Sequence, residues 1–295
     1  MDQNLMQNNA DLEALKFYLD CGINEIIEDE AIDRFKLQAQ TIVSAAAPSI
    51  EAAVESAAQT KSSVSSSLPD ISAPAVPLGK SESYKIAVEA AKACADLNAL
   101  QEALQNFDGL PIKNTASNLV FADGNAESKI MLIGEAPESE DDRSGKAFSG
   151  PSGALLDKIL GSIDLSRSSE DLAHSVYLSN LLNWRPPGGR SASPAEIDVS
   201  LPFLERHIQL VQPEILILCG GTLAKALLGT NESLTKLRRK GWHEYQVQTA
   251  ELKSDHSKAI KTLVTYHPSY LINTPMQKRA VWADMLNLKH ALKNP

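Results

Sequence analysis

Four short, uninterrupted apolar runs recur from residue 129 onward: Lys129 to Gly134 (KIMLIG), Ser175 to Asn180 (SVYLSN), Glu214 to Gly220 (EILILCG) and Lys261 to His267 (KTLVTYH). They do not alternate polar with apolar positions, so each reads as a strand buried on both faces, the pattern of a parallel sheet. Between them lie Pro151 to Ile163, Ser193 to Val211 and Thr222 to Gly229, each with helical spacing and an opening Pro, Ser or Thr. Strands alternating with helices predict an α/β fold of three layers, α/β/α, around a central, mainly parallel four-stranded sheet.

The N-terminal third has a different pattern. Leu12, Leu15, Leu19 and Ile23 are spaced as on one helical face, which predicts an N-terminal helical segment within residues 1–40. Residues 41–80 are rich in Ala, Ser and Pro and contain no aromatic residue. Such a stretch buries too little apolar surface to offset chain entropy, and a disordered linker is predicted. Helical spacing resumes from Ser83 to Phe107 and opens the main domain, residues 81–295.

Charge follows the same division. The chain has a net charge of −9, yet residues 1–80 hold 5 Lys/Arg against 12 Asp/Glu, leaving 23 against 25 for the remainder. The main domain is nearly neutral and has room for a basic face. There is no apolar run of membrane-spanning length, and the start MDQNLMQNNADLEALK is acidic and polar where a signal peptide is basic and then apolar. A cytoplasmic protein with no membrane association is expected. Cys21, Cys94 and Cys219 are odd in number, far apart and without a nearby partner at ligand spacing, so neither a disulfide framework nor a zinc site is indicated.

The apolar runs end at Gly134-Glu135, Asn180, Gly220 and His267. Open parallel sheets bind ligands beyond the carboxyl ends of their strands, so an acid, an amide and an imidazole are expected to converge on one crevice. A phosphate loop is excluded there: neither GxxxxGK[ST] nor GxGxxG is present, and Glu135, Glu138, Glu140, Asp141 and Asp142 crowd the turn. Phe148 lies between small residues before a helix start, Gly150-Pro151-Ser152-Gly153, whose free N–H groups suit a phosphate. Arg185 and Arg190 flank a Pro-Pro-Gly-Gly turn beside Asn180 and suit backbone phosphates.

Taken together, GEAP, the GxxF spacing from Gly145 to Phe148, YLSN with WRPPGGR, and TYHPSYL followed by KR and W resemble the family 4 uracil-DNA glycosylases, over about Phe107 to Leu292. The resemblance implies an enzyme that flips uracil out of DNA and hydrolyses its N-glycosidic bond, leaving an abasic site. It implies catalytic roles for Glu135 (water), Asn180 (base edge) and His267 (departing base). It implies that Phe148 stacks on the base, with Ala136, Pro137 and Asp141 also at the substrate. Ser152, Arg185, Arg190, Ser269, Leu271, Lys278 and Arg279 are then expected at the DNA.

Four departures from the family accompany the match. The positions of its four iron-sulfur cysteines correspond to Phe107, Leu110, Trp184 and Ser200, so no cluster, metal or other cofactor is expected. Glu138, Asp141 and Gly189 stand where the family has glycine, glutamate and asparagine. Alternative readings are a catalytically weakened DNA-binding or repair-partner protein, and a glycosylase for another deaminated base. A monomer is expected, with room for a protein partner at the N-terminal segment.

Overall fold

The computed structural model describes residues 82–253 and 258–293. The expectations for residues 1–40 and 41–80 lie outside the described residues. The helical spacing from 83 to 107 belongs to two helices, Glu82–Ala93 (α1) and Leu97–Asn106 (α2). The break is local: Asp96 is extended and its carboxylate accepts from the Ala99 N–H at 2.8 Å, capping α2.

Six strands form one mixed sheet: Ala122–Gly124 (β1), Ile130–Gly134 (β2), Tyr177–Asn180 (β3), Ile215–Cys219 (β4), Trp242–Tyr245 (β5) and Ile260–Thr265 (β6). Their order is β1-β3-β2-β4-β6-β5. The expectation of four strands is therefore corrected to six. The four apolar runs are the central, parallel strands, and β1 and β5 add antiparallel edges. Neither edge strand carries a continuous apolar run; β1 is Ala-Asp-Gly and β5 is Trp-His-Glu-Tyr.

Helices Ser139–Ser144 (α3) and Gly150–Gly161 (α4) link β2 to β3, and Pro194–Val211 (α5) links β3 to β4. Gly221–Leu228 (α6) and Leu234–Lys240 (α7) precede β5, while Pro268–Asn273 (α8) and Lys278–Lys293 (α9) follow β6. The pleat of β2 divides the core between two layers. Ile130 and Leu132 pack with Leu156 of α4 and Met285 of α9, whereas Met131 and Ile133 pack with Leu204 of α5 and Leu223 of α6. A third cluster joins α1 and α2 to Phe107, Leu110, Trp184 and Phe203 at one corner.

Connections from β2 run first to β3 on one side and then across to β4 on the other. The strand order thus reverses between β2 and β4, and in such sheets the crevice at the reversal is where ligands bind. Glu135 follows β2 and Gly220 follows β4 at this point. Among the described residues no helix is long and apolar enough to cross a membrane.

Candidate active site

Glu135 leaves β2 and reaches the first turn of α6, where its Oε1 accepts from the Thr222 N–H at 2.7 Å. Gly220 makes room for it: its φ is +125°, and an added Cβ would lie 2.7 Å from the carboxylate carbon of Glu135. Sequence reasoning did not identify Thr222; only a helix start immediately after a strand end hinted at a donor.

Asn180 closes β3 opposite Gly134 and is buried. Its Oδ1 and the Phe148 ring both crowd Gly134, where any side chain would collide with them. Its Nδ2 is buried with no hydrogen-bond partner among the described residues. An amide held by its strand with a donor left over is suited to read a carbonyl.

Phe148 is 3% exposed and has a left-handed backbone, φ 54°, which is rare for an aromatic residue. Two groups hold this turn. Asp141 accepts from the Glu138 N–H at 3.0 Å and from the Ser149 N–H at 2.6 Å. Arg167 donates to Ala147 O at 3.0 Å while pairing with Asp123 at 3.0 Å and Asp157 at 2.8 Å. Burial pushes the Asp141 carboxyl above its ordinary range, opposed by the backbone N–H groups that donate to it. Asp141, expected beside the base, therefore lies inside the turn and supports it. Gly153 is required where α4 passes the Phe148 carbonyl, because a Cβ there would overlap that carbonyl.

His267 caps α8, and its ring lies 5.5 Å from that of Phe148 at 26°. Nδ1 accepts from the Ser269 N–H at 3.3 Å and lies 2.8 Å from Ser269 Oγ. The backbone donor assigns the tautomer, so the neutral ring carries its proton on Nε2. Burial lowers the His267 pKa, and the charges of Glu138 and Glu135 oppose that shift. Glu138, one of the acids that crowd the turn, accepts from the buried Ser152 hydroxyl at 2.6 Å. That bond occupies Ser152 Oγ as a donor.

The expected DNA-facing residues divide. Lys278 and Arg279 are exposed at the start of α9 and have no ion pair among the described residues. Arg190 is held by Glu196 at 2.8 and 2.6 Å, an interaction that lowers the Glu196 pKa to about 2. Arg185 is partly buried, and its Nε has no partner among the described residues. Ala136 packs against the corner cluster, and Pro137 is buried. The expectation that Leu271 meets DNA is corrected: it is fully buried against the core that includes Val281, and Tyr270 and Ile272 are the exposed large apolar residues of α8. A six-residue helix turns its apolar face inward, which Leu271 occupies.

Residues 121–286 match the family model described as the Uracil DNA glycosylase superfamily. The chain is 33% identical over 183 residues to a type-4 uracil-DNA glycosylase of Saccharolobus solfataricus, covering 60% of this chain and 77% of that protein. It is 29% identical over 191 residues to the type-4 enzyme of Pyrobaculum aerophilum, covering 64% and 91%. The type-4 enzyme of Thermotoga maritima is 28% identical over 200 residues, covering 67% and 95%.

Proposed function

The chain belongs to the uracil-DNA glycosylase superfamily, and on that premise we propose that it excises uracil from DNA through Glu135, Asn180 and His267. The observation that carries the reading is that Asn180 and the Phe148 ring both crowd Gly134, the His267 ring lies 5.5 Å from that of Phe148, and the charge of Glu135, the next residue after Gly134, acts on His267. The target nucleotide leaves the stack and its base enters between Phe148 and the Asn180 amide. Asn180 donates from Nδ2 to the O4 carbonyl and accepts from N3–H at Oδ1.

As the C1′–N1 bond breaks, its electron pair moves to the base and the sugar becomes cation-like. His267 Nε2–H donates to the carbonyl that gathers this charge, a contact that strengthens in the transition state. The Glu135 carboxylate, fixed by Thr222, steadies the sugar and accepts the proton of the water whose oxygen bonds to C1′. The products are an abasic site and uracil, which takes a proton at N1.

The family resemblance implies a [4Fe–4S] cluster, and the residues at its positions do not fit one. Phe107, Leu110 and Trp184 are buried apolar side chains of one cluster, with Phe107 edge-on to Phe203 at 5.1 Å between ring centres. Ser200 offers a buried hydroxyl oxygen with no hydrogen-bond partner among the described residues. Thiolates hold such clusters, so apolar packing takes this role and no step runs through iron.

The chain acts as a cytoplasmic monomer on uracil-containing DNA, and the acidic N-terminal segment is left for a protein partner. A gel assay tests the function: incubation with a uracil-containing oligonucleotide followed by alkali produces cleavage at the uracil and none in a thymine control. An intact uracil strand after prolonged incubation with excess protein overturns the reading.

A further inference from the structure

A cavity of about 400 Å³ opens between α4, α8 and the start of α9. Leu271, Val281 and Trp282 contribute apolar surface to its lining, and Lys158, Lys278 and Arg279 stand among the same residues. Among the described residues no carboxylate lines it. Trp282 is 46% exposed, and none of the three cations forms an ion pair among the described residues. In a chain of net charge −9, three unpaired cations around one apolar groove are a local reversal of sign.

We propose that this groove is a second DNA subsite, which takes a flanking nucleotide by stacking its base on Trp282 while Lys158, Lys278 and Arg279 hold the adjacent phosphates. The proposal rests on the uracil-DNA glycosylase reading. The occupant follows from charge and position. An indole face accepts any base, unpaired cations attract phosphates, and the combination is how single strands are bound without sequence preference. The groove also borders the reacting site: α8 begins at its N-cap, His267, and contributes Leu271 to the groove's lining.

The full chain and a uracil-free single-stranded oligonucleotide provide the test, so binding is read independently of excision. Titration quenches tryptophan fluorescence in the wild type, and Trp282→Phe removes the quench. Trp282→Ala weakens binding about tenfold, the loss of one stacked base. The Lys278→Gln/Arg279→Gln variant lowers the slope of log affinity against log salt by about 0.7 for each lost phosphate contact. Val281, Met285 and Leu288 anchor α9 in the core, so unchanged melting temperatures are expected of these surface variants.

A quench that persists in Trp282→Phe, or wild-type affinity in Trp282→Ala, overturns the proposal. So does a Trp282 signal produced by an acidic, leucine-rich peptide and not by the oligonucleotide, which makes the groove a protein-docking site. A wild-type chain that binds through Trp282 but releases no uracil overturns the glycosylase reading alone. Excision with a silent Trp282 overturns the groove alone.

Discussion

The roles proposed for His267 and Asn180 make different demands on the same base, and substitution separates them. His267→Ala is expected to lower the single-turnover excision rate about a hundredfold or more with little change in DNA affinity, because its donor meets charge absent from the ground state. Parallel losses of melting temperature and rate would instead mark His267 as a structural cap of α8. Asn180→Asp changes hydrogen bonding with almost no change of shape. A carboxylate cannot donate to O4, and the mismatch costs on the order of 1–3 kcal/mol, about 5- to 150-fold in rate. A folded Asn180→Asp protein with wild-type excision removes Asn180 as the reader of the base. The strand-end positions of Glu135, Asn180 and His267 were legible because apolar runs end visibly. Their supports were not: Thr222 lies 87 residues from Glu135, and Arg167 lies 44 from Asp123. Such pairings are created by tertiary packing and leave no local periodicity.

At the level of elements, α5 is tied to β3 by His207, whose Nε2 lies 2.9 Å from the Tyr177 hydroxyl and whose ring stacks on Phe121 at 4.5 Å. Complete burial lowers the His207 pKa to about 3 from an ordinary 6.5. Between those values the unfolded chain is protonated at this residue and the folded chain is not, so stability is full above pH 6.5 and falls as the pH drops toward 3. His207→Gln cannot titrate, and its melting temperature is expected to fall less between pH 7 and pH 5 than that of the wild type, as scanning calorimetry would record. Identical pH slopes would contradict this. The fold was legible where burial on both faces makes an apolar run continuous, as in β2 and β4. It was not legible in β1 and β5, whose edge positions allow Asp123 and Glu244 into the strands, nor at the break before α2, which a single capping Asp96 creates.

For the whole molecule, acid is concentrated where the first 80 residues hold 12 Asp/Glu against 5 Lys/Arg. Removing residues 1–75 is expected to preserve the fold and uracil excision while tightening DNA binding at low salt, as fewer negative charges repel the phosphates. An insoluble or inactive truncation would show that the main domain needs that segment. The empty hydrogen-bonding valence of Asn180 reaches further than the chemical step. A buried donor without an acceptor raises the free energy of the resting protein, and a base in the pocket relieves it whether or not that base is still attached to DNA. Free uracil is therefore expected to bind as a ligand in its own right. At about tenfold excess over its dissociation constant it stabilises the chain by about 1.4 kcal/mol, a rise of a few degrees in melting temperature. The group proposed to select the damaged base is thus also expected to delay the departure of the product, with turnover slowing as uracil accumulates.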